Sequence, residues 1–335
     1  MKGSPAVRTA SLIVLLPSTI VLLSSAIVLL TLPIVRAASP MVLTVEREAS
    51  AERSFAQPAA AFKEKFAARL NEIVRRIDGV VGYEIVDLTS GDRFAHLEHE
   101  TFPTASSIKI AIVYELFKQV DEGRIRLDET LTLDRAKAVG GTGVLLYMGT
   151  PTLTIRDYAV LMVTLSDNTA TNVLIDRLGM DAIAARMQSL GLKATKLRRH
   201  MMDLAAARRG DENVSSPDDL VRLLQAMAGQ HASEKDPGRM PAAVDLLKLP
   251  KESRLRRGLP EGVPVADKPG ELDGVRADAG IVFEKNRPYA FVAMASYLKS
   301  EAEGASAIEE MSRAAYEYFS RIGASGPEGR RLPGP

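Results

Sequence analysis

The chain has 335 residues, 46% of them apolar, and a formal net charge of +1, which is room for one large domain or two small ones and gives no bulk attraction for nucleic acid. Cysteine is absent, so disulfides and thiolate metal sites are excluded. The four histidines, His96, His99, His200 and His231, lack the spacing of a metal-binding helix, and His96 with His99 reads as a solvated surface after a hairpin.

In chain order, Lys2 and Arg8 precede an uncharged run from Thr9 to Val35, and Val35-Arg36-Ala37 offers small residues for a cut. Residues 1–37 therefore read as an export signal. The run also approaches the length of a bilayer span, so an uncleaved membrane anchor over 9–35 is the alternative. Either way the body is expected outside the cytoplasmic membrane, periplasmic or extracellular. Residues 38–60 read as a linker. Phe62, Phe66, Leu70, Ile73 and Ile77 form one helical stripe and open the folded domain. Val80–Leu88 and Arg93–Leu97, around Thr89-Ser-Gly-Asp92, make a β-hairpin. Helical patterns follow over Ser106–Glu122, Thr154–Leu165, Ala170–Leu178, Met180–Leu190 and Pro217–Gly229. Strands return at Val263–Asp267, Ala279–Phe283 and Tyr289–Tyr297, and Glu301–Ile322 is a last amphipathic helix. Residues 323–335 read as a disordered tail. Strands at both ends of the chain with helices between predict an α+β fold with one antiparallel sheet assembled non-locally.

Chemistry concentrates in Phe102-Pro-Thr-Ala-Ser-Ser-Ile-Lys-Ile-Ala-Ile-Val113. Ser106 and Lys109 stand three apart, on one helical face, and the flanking Ile and Val residues bury the amine. Burial disfavours the ammonium form, and a neutral amine beside a hydroxyl makes a nucleophile. The same spacing also arises where a serine caps a helix and a lysine snorkels to water, so the partners decide. Two occur downstream. Leu161-Met-Val-Thr-Leu-Ser-Asp-Asn-Thr-Ala-Thr-Asn172 holds Ser166-Asp167-Asn168 between two helical patterns, and Val265-Ala-Asp-Lys-Pro-Gly270 puts Lys268 on a strand.

The order S-x-x-K, S-D-N, K-x-G resembles that of the class A β-lactamase-like serine hydrolases, which share these parts with penicillin-binding proteins. The likeness covers roughly residues 61–322, taken as the catalytic domain. It implies an α/β/α sandwich, five antiparallel strands beside an all-helical lobe, with no metal or organic cofactor. It implies Ser106 as nucleophile, Lys109 as its proton acceptor, Ser166 as relay to the leaving nitrogen, and the backbone N–H groups of Ser106 and Glu271 as the oxyanion hole. Asn168, Lys268 and Gly270 would contact the substrate, a small β-lactam or a peptidoglycan peptide, and a monomer is favoured.

Two departures stand out. Pro269 occupies the place of a family Ser or Thr, so a hydroxyl for the substrate carboxylate is missing; Pro is tolerable there if its position faces the cleft, as 271 does, and owes no ladder bond. Arg276 is out of register with the family's carboxylate-binding arginine, where Ala279 aligns. In the loop from Arg198 to Asn213, His200 or Met201 falls where true β-lactamases carry the Glu that activates the deacylating water, and Ala205 where an Asn helps hold it. Asp203 is the nearest substitute base. Acylation is equipped and fast deacylation is not. Three readings follow: an exported serine hydrolase that opens β-lactams and deacylates slowly, a penicillin-binding D-alanyl-D-alanine peptidase, or a catalytically weak sensor of β-lactams or cell-wall peptides.

Overall fold

Alternate residues of the strand Tyr289–Ser296 are committed to opposite cores. Tyr289, Phe291 and Ala293 join one apolar cluster, and Ala290, Val292 and Met294 join another. Successive side chains of a strand point to opposite faces, so this strand lies at the centre of a sheet covered on both sides. The computed structural model describes residues 40–229 and 240–332, with side chains from Pro58 onward. The segment 9–35, with the export or anchor reading placed on it, and His231 lie outside the described residues. Among the described residues no helix is long and apolar enough to cross a membrane.

The strands are β1 (Val80–Asp87), β2 (Arg93–His96), β3 (Phe102–Pro103), β4 (Thr130–Thr132), β5 (Thr152–Thr154), β6 (Val214–Ser215), β7 (Val265–Leu272), β8 (Val275–Val282) and β9 (Tyr289–Ser296). Five of them form one antiparallel sheet in the order β2-β1-β9-β8-β7, while β3 pairs with β6 and β4 with β5. The helices are α1 (Pro40–Arg75), α2 (Lys109–Asp121), α3 (Ile155–Thr164), α4 (Asn168–Leu178), α5 (Met180–Ser189), α6 (Leu204–Arg208), α7 (Pro217–Met227), α8 (Pro241–Lys248), α9 (Arg254–Arg257) and α10 (Glu301–Gly323).

One sheet face receives α1 and α10. Phe66 stacks on Tyr318 with centroids 4.3 Å apart, and Tyr289 on Phe319 at the same separation; aromatic pairs of this kind contribute about 0.5–1.5 kcal/mol beyond their burial. The other face receives the helical lobe, where Ile110, Ile112 and Leu116 of α2 share a core with Ala277, Ala279 and Ile281 of β8. The expected three-layer fold is present, and α2 is buried around most of its circumference.

Sequence patterning misplaced several boundaries. The segment 38–60, read as a linker, is helical from Pro40, because α1 runs on through Pro58. β7 and β8 extend to a tight turn at Asp273-Gly274, which the Pro, Gly and charged residues there concealed. The tail read as disordered turns back on itself: Leu332 N donates to Ala324 O and Gly326 N to Arg330 O, both at 2.9 Å.

Candidate active site

A 3₁₀ turn, Ala105–Ile108, delivers the chain into α2. Residues three apart eclipse in such a turn, so Ser106 and the first residue of α2, Lys109, come to one side. Ala105 is held at φ +47°, a conformation that costs a non-glycine residue of order 1 kcal/mol and kinks the backbone just before the nucleophile. The two adjacent serines separate cleanly. Ser107 is buried and its hydroxyl donates to Thr104 O at 2.7 Å, whereas Ser106 lines a cleft of about 650 Å³ together with Ser166, Lys268, Pro269 and Glu271.

Lys109 is buried, and its amine meets the carbonyl oxygen of Ser166 at 2.8 Å, the hydroxyl of Ser166 at 3.0 Å and Oδ1 of Asn168 at 3.2 Å. Desolvation, reinforced by the positive charge of Lys268 and opposed by Asp167, pushes the ammonium well below its usual range. The amine donates in all three contacts, which would use the three N–H bonds of an ammonium; loss of one proton keeps two of them and frees a lone pair. The 3₁₀ turn puts Lys109 on the side of Ser106, and the Ser-Asp-Asn turn supplies the partners of its amine.

That turn is strained and tied down. Ser166 sits at φ +53°. Asp167 caps α4 by accepting from Ala170 N at 2.9 Å, and its other oxygen accepts from Val144 N at 2.6 Å and Leu145 N at 2.9 Å. Thr142 Oγ1 donates to Ser166 O at 2.6 Å, and Asn168 Nδ2 donates to Gly140 O at 3.0 Å. The loop 139–146 is thereby fastened to the turn, a role for Asp167 and Thr142 that the sequence motif did not disclose.

β7 is an edge strand, paired among the described residues with β8 alone. In an antiparallel pair alternate positions turn their N–H groups away from the partner; 269 and 271 share that phase, so Pro269 forfeits no ladder bond and Glu271 aims its N–H off the sheet. Gly270 explains why the strand lies so close to Ser106. A Cβ there would stand 2.5 Å from Thr104 O and 3.0 Å from Ser106 N, so only glycine lets the backbones of β7 and the 3₁₀ turn touch. Gly270 thus acts as a spacer that sets the N–H groups of Ser106 and Glu271 beside one another.

Lys268 is fully buried, and its amine donates to Pro269 O at 2.9 Å. Desolvation and the neighbouring Lys251 lower it to about 8, against Asp267, Asp278 and Glu271, which favour its charge. Behind it Asp267 accepts from Lys251 at 3.3 Å and Arg256 at 2.8 Å. Arg276 is turned out of the cleft: it pairs with Glu301 at 2.5 Å and donates to the carbonyls of Leu272 and Val275.

The long loop closes at its neck where Lys196 and Val214 exchange backbone bonds of 2.8 and 3.0 Å. Asn213 Oδ1 accepts from the N–H groups of Arg198 and Arg199, and Asn213 O from both Thr104 N and Oγ1, so the neck is buttoned to the strand before Ser106. His200 leaves the cleft, with Nε2 2.9 Å from Asp176 Oδ1. Met201 is buried in the loop. Asp203 is exposed and caps α6, its Oδ1 accepting from Ala206 N at 2.9 Å, and it lies outside the cleft lining. Ala205 is exposed on α6. Among the described residues no cluster of three His, Cys, Asp or Glu side chains could hold a metal ion.

A hydroxyl, a desolvated amine and two outward N–H groups around one cleft are the parts of a serine acyl-transfer enzyme. The chain belongs to the beta-lactamase enzyme family, whose profile matches residues 65–319, and it is a class A β-lactamase-like serine hydrolase. It is 29% identical over 231 residues to a β-lactamase of Streptomyces fradiae, covering 66% of this chain and 74% of that one. Among solved structures it is 30% identical to the β-lactamase of Sphaerobacter thermophilus (TM-score 0.67, 75% of this chain and 95% of that chain). It is also 30% identical to PBP-A (TM-score 0.68, 76% and 96%).

Proposed function

We propose that the protein opens β-lactam rings through an acyl-enzyme on Ser106 and releases the product slowly. The observation that carries this reading is the Lys109 amine, buried one turn of helix from Ser106 and bonded to both Ser166 and Asn168. Lys109 takes the Ser106 proton as Oγ attacks the lactam carbonyl. The developing oxyanion accepts from the N–H groups of Ser106 and Glu271; one such donor is worth about 2.7–4 kcal/mol. The C–N bond breaks, Ser166 gives its proton to the leaving nitrogen, and Lys109 passes the proton taken from Ser106 on to Ser166, so the product amine gains one proton and both Lys109 and Ser166 return to their starting states. Lys268 favours substrate capture and eases the Ser166 transfer.

Deacylation needs a base to activate water, and the loop supports none: Met201 has no titratable group, His200 is engaged by Asp176, and Asp203 is engaged as a cap. The same lack favours a second reading, a D-alanyl-D-alanine peptidase acting on peptidoglycan, in which a peptide amine rather than water could take the acyl group. The likeness to PBP-A, a variant of which is known as an acyl-enzyme complex with penicillin G, supports acylation in either case. The run 9–35 supports action outside the cytoplasmic membrane. Intact mass spectrometry after mixing with a penicillin tests both readings: an adduct on Ser106 that decays slowly supports the first, and its faster loss on adding a peptide amine supports the second.

A further inference from the structure

The segment between α8 and α9 puts a further buried amine into the wall of the cleft. Lys251 lines it beside Pro250 and Glu252, yet its side chain is only 2% exposed. Its three N–H bonds go to Leu247 O at 2.5 Å, Leu249 O at 2.8 Å and Asp267 Oδ1 at 3.3 Å, so the amine is pinned and has no donor left for a ligand. Asp267 precedes Lys268 on β7, and neighbouring strand residues point to opposite faces. Its Oδ1 takes both Lys251 and, at 2.8 Å, Arg256, while its buried Oδ2 has no hydrogen-bond partner. The Lys268 amine is bonded to Pro269 O and, among the described residues, to no carboxylate. Three cations, Lys251, Arg256 and Lys268, thus gather about one ionised carboxylate, because Asp278 beside it keeps its proton up to about pH 8.

We propose that Lys251 is a positioning residue that works through Lys268: its pinned ammonium at the edge of β7 governs how far into alkali Lys268 keeps the charge that captures an anionic substrate. This rests on the acylation reading above. Burial makes a lysine shed its proton early, and a like charge nearby adds to the effect. Lys268 feels Lys251 as repulsion and Asp267, Asp278 and Glu271 as attraction, and Lys109 on α2 feels Lys268 in turn. A substrate carboxylate arriving at Lys268 is drawn by both cations, so above about pH 8 its binding must first return a proton to Lys268, and affinity falls as pH rises. Removing the Lys251 charge has two effects. It takes a cation away from the bound anion, which weakens capture at every pH, and it relieves Lys268 of a like charge, which carries the loss of capture to higher pH.

The test follows acylation of the full chain by benzylpenicillin, read by intact mass across the neutral and alkaline range, with the concentration dependence of the rate separating apparent Kd from the limiting rate. Wild type loses affinity above about pH 8. Lys251→Met binds more weakly than wild type at neutral pH, and the ratio of its apparent Kd to the wild-type value falls about fivefold between about pH 7 and pH 9, the upper end of a screened charge pair. Asp267→Asn moves the loss of affinity the other way, to lower pH. Lys251→Arg, whose charge does not titrate, keeps the loss at or below the wild-type pH, and it carries the test if Lys251→Met shows no folding transition. A merely structural lysine would weaken binding by one factor throughout, so a Lys251→Met ratio constant with pH overturns the inference, as does a loss of affinity displaced to higher pH in Lys251→Arg. Absence of any wild-type adduct overturns the acylation reading and this inference with it, whereas either of the other two results overturns this inference alone.

Discussion

The side-chain amide of Asn172 grips both backbone groups of Met201: Met201 N donates to Asn172 Oδ1 at 2.8 Å, and Met201 O accepts from Asn172 Nδ2 at 3.1 Å. The clamp joins α4, which begins in the Ser-Asp-Asn turn, to the middle of the long loop. It holds the backbone of Met201 against the helix that carries Asn168, whereas His200 reaches that helix through its ring, at Asp176.

Met201→Glu is therefore the substitution expected to create a deacylating base. Wild type gives a burst of about one product per enzyme followed by a slow steady state. Met201→Glu, alone or with Ala205→Asn, raises the steady rate by about 10²-fold, the lower end of general-base assistance, and leaves the burst rate nearly unchanged. Rapid wild-type turnover that collapses in Asp203→Ala would assign deacylation to Asp203 instead. Stopped-flow hydrolysis of a chromogenic cephalosporin reads both phases.

The two serines separate by experiment as they do by geometry. Ser106→Ala abolishes covalent labelling and keeps the melting temperature. Ser107→Ala keeps labelling and loses about 1–3 kcal/mol of stability, because the Thr104 carbonyl loses a buried donor. Labelling followed by peptide mapping, with thermal denaturation alongside, distinguishes them.

Acylation follows a bell-shaped pH profile. Its rising limb reports loss of the Lys109 proton, shifted down from the ordinary lysine range by burial, and its falling limb, near pH 8, reports neutralisation of Lys268. Lys109→Ala lowers the maximum by about 10²–10⁴-fold and removes the rising limb. Lys268→Ala chiefly raises KM and removes the falling limb. The acylation rate measured across the neutral and alkaline range decides whether the two lysines differ in kind.

Stability carries a separate pH signature. Asp278 is buried beside Asp267, and its carboxyl is raised by desolvation, then by that neighbour, to about 8. A carboxyl raised in the folded state binds its proton more tightly there than in the unfolded chain, so its contribution is fully present in acid and lost as pH climbs towards 8. Asp278→Asn, which keeps an acceptor for Leu255 N, should leave stability unchanged at acid pH and raise it progressively towards pH 8. Urea midpoints at several pH values measure the gain.

What was legible in the sequence was local. Ser106, Lys109, Ser166, Asn168 and Lys268 announce themselves because each motif is contiguous and its residue types have few other uses in that order. The stripe of α1 and the hairpin of β1 and β2 were equally plain, since periodicity is a property of neighbours in sequence. The functions of Asp167, Asn172 and Asp203 were not, because each depends on which backbone N–H comes within 3 Å once distant segments pack. Asp203 illustrates the point: its spacing from the expected Glu suggests a base, yet it stands at the start of a five-residue helix, invisible to periodicity at that length, and caps it through Oδ1. The far half of β7 was missed for a related reason, since an edge strand tolerates the Pro and charges that argue against a central one; the first half of β8 was missed because Arg276 and the buried Asp278 interrupt its apolar pattern.

The order of strands in the sheet sets a schedule for folding. β1 completes its pairing only against β9, joining residues 80–87 to residues 289–296, so one of the earliest structured segments waits for one of the last. Contacts of such long sequence separation form slowly. A polypeptide emerging amino-terminus first can collect the helices of its lobe while its central ladder stays open until nearly the whole chain has been made.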